Sequence, residues 1–174
     1  MIDGKKKWML LNTVQKQNIL PLTSACNMNC IFCSHKNNPP GIKPYRFGHL
    51  SLGLIKELIE YLSPSQNVTL GESATKIIEG EPFLHPDFKE ILSLIRKKWP
   101  EKEIKIATNG SFLTREMVKF LKKMEPVSLN VSLNCDTLEN RKYIMKDKNP
   151  EQVYRGLTYL NKYDIQFHGS IVAL

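Results

Sequence analysis

The feature that most constrains the fold of this chain is a regular alternation of short strand-like runs with longer helical patterns. Residues 103–107 (EIKIA) alternate between polar and apolar, a turn follows at 108–110, and Thr114 can then cap an amphipathic helix. Residues 127–133 (VSLNVSL) alternate in the same manner. Strands that are separated by helices at this spacing pair in parallel through right-handed crossovers, so the sequence predicts an α/β fold.

The remaining elements extend this pattern over most of the chain. We expect five strands, at residues 18–23, 76–79, 103–107, 127–133 and 165–174. We expect four helices, which begin at Ser51, Asp87, Thr114 and Pro150. Residues 8–17 are expected to form a hairpin or a lead-in to the first strand. Such a parallel set forms either an open doubly wound sheet or part of a (β/α) barrel, and both place ligands at the carboxyl ends of their strands.

Length and charge limit the architecture and the partners. The 174 residues are predicted to form one domain, residues 1–174. The net charge of +8 is spread over many segments and fits a solvated surface better than attraction to an anionic partner such as RNA or a phosphorylated substrate, because no RNA-binding motif accompanies it. The sequence has neither a run of about 20 apolar residues nor the apolar core of a signal peptide, so we predict a cytoplasmic protein without a membrane span.

Three of the four cysteines, Cys26, Cys30 and Cys33, lie in the segment 26–33 (CNMNCIFC). Thiols stay reduced in the cytoplasm, so this spacing favours metal ligands over disulfides. Three thiolates can hold three irons of a four-iron four-sulfur cluster and leave the fourth iron open to a small molecule. The alternative is a zinc site with His35 or Cys135 as the fourth ligand.

The C-x-x-x-C-x-x-C spacing, with the aromatic Phe32 before the last cysteine, resembles the hallmark of the radical S-adenosylmethionine (radical SAM) superfamily. The resemblance implies a 4Fe-4S cluster on the three cysteines, with S-adenosylmethionine chelating the open iron. One electron from the cluster would then cleave S-adenosylmethionine to a 5′-deoxyadenosyl radical, which abstracts hydrogen from a substrate. The implied fold is a partial (β/α) TIM-like barrel of about five to six units, so the radical SAM core in residues 1–174 is expected to be incomplete at its C-terminus.

Two turns also resemble that family. Gly80-Glu81-Pro82 is similar to its G-G-E-P stretch, whose backbone and Glu side chain receive the methionine ammonium, although Glu79 stands where the first Gly is usual. Thr108-Asn109-Gly110 is similar to its T-N-G turn near the ligand. Each motif taken alone is also an ordinary turn.

The ends of the last two strands carry further similarity. Ser132-Leu133-Asn134 resembles the family's S-L-D, which meets the methionine carboxylate and ribose, with Asn134 in place of Asp. Ile171 lies in a stretch similar to the G-x-I-x-G pattern behind the adenine ring, although a core strand explains it nearly as well. The cofactor-binding residues that the resemblance implies are Phe32, Gly80, Glu81, Thr108, Ser132, Asn134 and Ile171.

Several roles stay open at this stage. Lys76 and His168 lie near strand ends where relatives place substrate or carboxylate contacts, although such residues are more often solvated or hydrogen-bonded. Cys135 is interpreted as a buried residue, a thiol near the radical or a fourth ligand. The resemblance implies an electron donor such as flavodoxin or ferredoxin and leaves the substrate unknown, whether small molecule, peptide or RNA. The alternative function is a zinc- or Fe-S-bearing binding module for RNA or a protein partner.

Overall fold

The computed structural model describes residues 4–33, 37, 40–41, 44–73 and 77–172. One parallel sheet carries the strands in the order β1-β2-β3-β4. Its strands are β1 Val68–Leu70, β2 Ile104–Thr108, β3 Val127–Ser132 and β4 Gln166–Ser170. The helices are α1 Gly4–Gln17, α2 Leu52–Ile59, α3 Phe88–Lys98, α4 Arg115–Lys123, α5 Leu138–Met145 and α6 Glu151–Lys162, and a 3₁₀ turn spans Pro82–Leu84. The predicted α/β class with parallel strands is therefore confirmed.

Local chemistry fixes where several helices begin. The side chains of Ser51, Thr114 and Thr137 each accept a hydrogen bond from the backbone N–H three residues further on, at the starts of α2, α4 and α5. These bonds satisfy donors that the first helical turn leaves without an intrahelical partner. None of the described helices is long and apolar enough to cross a lipid bilayer.

The two faces of the sheet differ in polarity. Ile104 and Ile106 of β2 are buried, together with Leu129 and Val131 of β3, in one apolar core with helices α2, α3, α4 and α6. The opposite face is polar and lines a pocket of about 430 Å³. Residues in this pocket include Thr69, Lys105, Asn130, Gln166 and His168. The helices thus cover one face, and the other face remains available to a polar ligand.

The N-terminal third differs from the prediction. Residues 4–17 form helix α1 rather than a hairpin or lead-in, and its buried side chains include Leu10 and Val14. In the predicted first strand, Ile19 makes a single parallel bridge to Thr69 of β1. Further along the segment, Thr23 bridges in antiparallel fashion to His49.

The predicted strand at residues 76–79 is also misplaced. The strand that pairs with β2 is Val68–Leu70, whereas Ile77 makes only a single bridge to Tyr45. Lys76 lies outside the described residues. Helix α5 was not expected from the sequence, while β2, β3 and α6 begin within one residue of their predicted positions.

Candidate cofactor site

The cysteine-rich loop lies over the carboxyl end of the sheet. The backbone N–H of Asn29 donates to the carbonyl oxygen of Met145 (3.1 Å), and that of Ile31 donates to Ile144 (2.9 Å). On the other side, Asn109, which follows β2, donates from Nδ2 to the side-chain oxygen of Asn27 (2.9 Å). The last turn of α5 and the turn after β2 therefore hold the loop between them.

Burial and neighbouring thiolates oppose the ionisation of Cys26 and Cys30. Burial, followed by the negative charges of Cys26 and Cys33, raises the pKa of Cys30 to about 11. Desolvation also raises the pKa of Cys26, although its sulfur accepts from the N–H of Met28 (3.4 Å) and lies 3.8 Å from Asn109 Nδ2. Positive charge from bound iron would offset this repulsion, because thiolates are the form that binds metal.

The two metal sites that the sequence leaves open, a cluster and a zinc ion, differ in the side-chain geometry that they need. Within the described parts of the chain, no three His, Cys, Asp or Glu side chains converge on a point that one metal ion could occupy. Zinc needs such convergence, whereas each thiolate of a cluster binds a different iron. Of the two candidate fourth ligands for zinc, His35 lies outside the described residues, and Cys135 directs its thiol to the carbonyl oxygen of Leu133 (3.0 Å).

Glu81 and Thr108 are brought together as one buried unit. The Glu81 carboxylate accepts from the Thr108 hydroxyl (2.7 Å) and from the backbone N–H of Asn109 (2.7 Å). Burial raises the pKa of Glu81 to about 7. Since protein donors engage both carboxylate oxygens, the observed role of Glu81 is to fasten the 3₁₀ turn to the end of β2. A contact between Glu81 and the methionine ammonium stays a prediction.

Gly80 is required by a close backbone approach. A Cβ at this position would lie 1.9 Å from the carbonyl oxygen of Ala25. The backbone N–H of Gly80 donates to the carbonyl oxygen of Thr23 (2.7 Å), and that of Glu81 donates to Ala25 (2.8 Å). Glycine thus lets the predicted G-E-P turn lie directly against the segment that leads into Cys26.

Glu79, at the position where the family has glycine, is buried with an incompletely satisfied carboxyl group. Its Oε2 accepts weakly from the N–H of Leu22 (3.3 Å), and its Oε1 has no hydrogen-bond partner among the described residues. Burial raises the pKa of Glu79 well above its usual range, which favours the protonated form. The side chain therefore contacts the segment just before the cysteine loop.

Asn134 anchors the residues that follow β4. It has a left-handed backbone with φ of 56°, a conformation that Asn tolerates better than most residues. Its side-chain oxygen accepts from the N–H of Val172 (2.9 Å). Ser132 is half-buried and pairs in register with Ser170.

The other predicted residues lie at the edges of this region. Phe32 is half-buried beside Cys33, and Ile171 is 72% exposed just after β4. His168 is exposed on the polar face of the sheet, one of the residues that line its pocket. The cofactor contacts of Phe32 and Ile171 stay predictions.

Two features of the site were missed from the sequence. Asn27 donates to the hydroxyl of Ser111 (2.9 Å) and accepts from Asn109, and this network joins the cysteine loop to the turn after β2. Arg141 of α5 is fully buried and bonds to residues after β2 and β3. The T-N-G motif placed Asn109 near the ligand but gave no sign of its bond to Asn27. A charged residue in a helix pattern normally indicates surface, so the burial of Arg141 could not be read from the sequence.

A parallel α/β sheet with three cysteines in a loop at its carboxyl end is the arrangement expected of an iron–sulfur α/β protein. The family model of the Radical SAM superfamily matches residues 20–174, so the chain belongs to this superfamily. Its enzymes use a 4Fe-4S cluster and S-adenosylmethionine.

Known proteins support the same assignment. The chain is 32% identical over 143 residues to GTP 3′,8-cyclase of Lactiplantibacillus plantarum, covering 82% of this chain and 41% of that protein. It resembles anSMEcpe with bound AdoMet (TM-score 0.61, 20% identity, 87% of this chain and 42% of that chain). It also resembles methylornithine synthase, with a TM-score of 0.63 and 15% sequence identity. That match covers 98% of this chain and 52% of the methylornithine synthase chain. The predicted partial (β/α) barrel is thereby confirmed, and the chain spans about two fifths of the curated relatives' length.

Proposed function

We propose that this chain is the cofactor-binding part of a radical SAM enzyme. When bound, the cluster supplies the electron that cleaves S-adenosylmethionine to a 5′-deoxyadenosyl radical for hydrogen abstraction from a substrate. The observation that carries the proposal is the loop of Cys26, Cys30 and Cys33, held over the carboxyl end of the sheet by α5 and Asn109. Three thiolates there leave one iron of a four-iron cluster without a cysteine ligand.

The residues of this loop and around it would hold the cluster and S-adenosylmethionine in place. We assign Cys26, Cys30 and Cys33 to the cluster. Asn109 places an N–H donor 3.8 Å from the sulfur of Cys26, where it can stabilise negative charge on the cluster. We assign the S-adenosylmethionine contacts to residues at the adjoining strand ends and on the loop itself: Phe32, Gly80, Glu81, Thr108, Ser132, Asn134 and Ile171.

The substrate that we favour is a small phosphorylated molecule such as a purine nucleoside triphosphate. Several of the most similar curated relatives are GTP 3′,8-cyclases, at 32% and 34% identity for two of them. The polar face of the sheet offers Lys105, Asn130 and His168 to such a ligand in a pocket of about 430 Å³. Glu72 and Glu103 also line this pocket, and Glu103 lies 3.8 Å from the Lys105 ammonium. Lysine suits phosphate as a point charge.

We further propose a cytoplasmic location and electron supply by a flavodoxin or a ferredoxin. Three closely spaced thiols that must stay reduced to bind iron favour a reducing compartment. The positive net charge favours an electron donor with an acidic surface.

Anaerobic reconstitution with iron and sulfide tests the proposal. We expect about four irons per chain, and we expect 5′-deoxyadenosine to form when S-adenosylmethionine and a reductant are added. GTP should increase that yield if it is the substrate. Cys135→Ser is the matched control and should retain the iron, whereas Cys30→Ser should lose it. Stoichiometric zinc without iron would favour the binding module for RNA or a protein partner.

A further inference from the structure

Arg141 is a charged side chain with no solvent exposure. Its Nε pairs with Oδ2 of Asp147 (2.7 Å), and Asp147 is itself 3% exposed. Its Nη1 donates to the carbonyl oxygens of Ser132 (2.9 Å) and Leu133 (3.2 Å), and its Nη2 donates to that of Asn109 (2.6 Å). Burying a guanidinium is unfavourable unless it is paired and hydrogen-bonded, so this geometry has to be maintained as a unit.

The carbonyl groups that Arg141 binds belong to the two turns where we place cofactor contacts. Asn109 follows β2, and Ser132 ends β3. One guanidinium therefore links the turns that follow these two strands. Arginine suits this task because its planar fork presents five donors in a fixed geometry.

The same helix also holds the cysteine loop. In the last turn of α5, the carbonyl group of Met145 accepts from the backbone N–H of Asn29, and that of Ile144 accepts from the N–H of Ile31. Arg141 and Met145 are separated by about one helical turn. Lys146 then takes a left-handed conformation with φ of 56° and turns the chain back, so that Asp147 meets Arg141. A displacement of the Arg141 guanidinium would therefore move the last turn of α5 and, with it, the cysteine loop.

We propose that Arg141 is a positioning residue that sets the cysteine loop relative to the turns after β2 and β3. In this role it aligns bound S-adenosylmethionine with the open iron and makes no contact with either. The inference rests on the proposed function, since it concerns the geometry of that same site. Residues outside the first layer of ligands typically change metal affinity or activity by about 10- to 100-fold when they are replaced.

Arg96 provides a matched control. It also donates to backbone carbonyl groups, among them those of Lys102 (2.7 Å) and Pro126 (2.8 Å). These residues precede β2 and β3, at the opposite end of the sheet from the cysteine loop. Arg96→Lys and Arg141→Lys thus remove comparable bonds from the two ends of the same strands.

The experiment uses the full chain, reconstituted anaerobically with iron and sulfide. S-adenosylmethionine affinity is measured by calorimetry, the reduced cluster by electron paramagnetic resonance, and the unfolding midpoint by circular dichroism. We expect both variants to unfold at lower temperature than the wild type. Only Arg141→Lys should bind S-adenosylmethionine about 10- to 100-fold more weakly and change the spectrum of the bound state.

The outcomes separate the inference from the proposed function. Wild-type affinity and spectrum in Arg141→Lys, or equal losses in Arg96→Lys, would overturn the inference alone. Should Arg141→Lys not fold, Asp147→Asn keeps an acceptor for Nε and is expected to give a smaller loss of affinity in the same direction. Unchanged affinity in Asp147→Asn would then overturn the inference. A wild-type chain that loads iron without binding S-adenosylmethionine would overturn the proposed function itself.

Discussion

Replacing Gly80 by alanine should disturb the junction between the G-E-P turn and the cysteine loop. A Cβ at position 80 would lie 1.9 Å from the carbonyl oxygen of Ala25 and 2.5 Å from its carbonyl carbon. These are backbone atoms, which cannot rotate away as the end of a side chain can. Either the turn or the segment that leads into Cys26 must therefore move.

The expected loss can be worked out from the contacts at this junction. Movement would break the hydrogen bonds from Gly80 N–H to Thr23 (2.7 Å) and from Glu81 N–H to Ala25 (2.8 Å). Overpacking costs about 1–3 kcal/mol, and each hydrogen bond contributes about 0.5–1.5 kcal/mol. We therefore expect Gly80→Ala to lower the free energy of unfolding by roughly 2–6 kcal/mol. In a chain of this size, each kcal/mol lowers the unfolding midpoint by about 2–4 °C.

Thermal unfolding of the metal-free chain, followed by circular dichroism, measures this loss. Gly53→Ala is the matched control, because a Cβ at Gly53 meets nothing within 4 Å and the residue lies in α2. Alanine is favoured over glycine in helices by up to about 1 kcal/mol, so the control should unfold at or slightly above the wild-type temperature. A Gly80→Ala chain that unfolds together with the wild type would refute the reasoning.

Three further predictions concern buried polar groups near the cysteine loop. The pKa of Glu81 is raised from 4.5 to about 7, so its protonated form stabilises the folded chain at low pH. That contribution, up to roughly 3 kcal/mol, should be lost as pH rises from about 4.5 to 7. Urea unfolding of Glu81→Gln should depend less on pH over this range, and an unchanged dependence would contradict the account. The pKa of Glu79 is also raised. Glu79→Gln should therefore stabilise the chain more at pH 8 than at pH 4 in the same urea-unfolding assay. Equal effects at the two pH values would contradict this prediction. Asn109→Ala should shift the reduction potential of the cluster to more negative values, because an N–H donor near Cys26 stabilises the reduced state. A redox titration measures this shift, and a higher potential in the variant would be inconsistent with that role of Asn109.

The sequence predicted the fold best where strands alternate clearly. Residues 103–107 and 127–133 overlap almost completely with β2 Ile104–Thr108 and β3 Val127–Ser132, because their polar and apolar residues separate cleanly between the two faces of the sheet. Strand β1 was missed because Val68–Leu70 has only three residues, too few to show a period. Helix α5 was missed because the fully buried Arg141 stands where a helix pattern would show an apolar residue.

The candidate site was predicted in part, from the order of its motifs along the chain. Motif order placed Glu81 and Thr108 at neighbouring strand ends, and the structure brings their side chains to 2.7 Å. Sequence could not show that protein donors occupy the Glu81 carboxylate, because that depends on the turn of the chain at Asn109. Nor could it show the burial of Glu79, since acidic residues are almost never fully buried.

Mössbauer spectroscopy of the ⁵⁷Fe-reconstituted chain tests most directly whether three thiolates leave one iron open. The account predicts a four-iron cluster in which one iron changes its parameters when S-adenosylmethionine is added, while the other three do not. It also predicts that Cys135→Ser gives the same spectra. Four irons that are unaffected by S-adenosylmethionine, or a protein that takes up a single zinc ion in place of iron, would contradict the central claim.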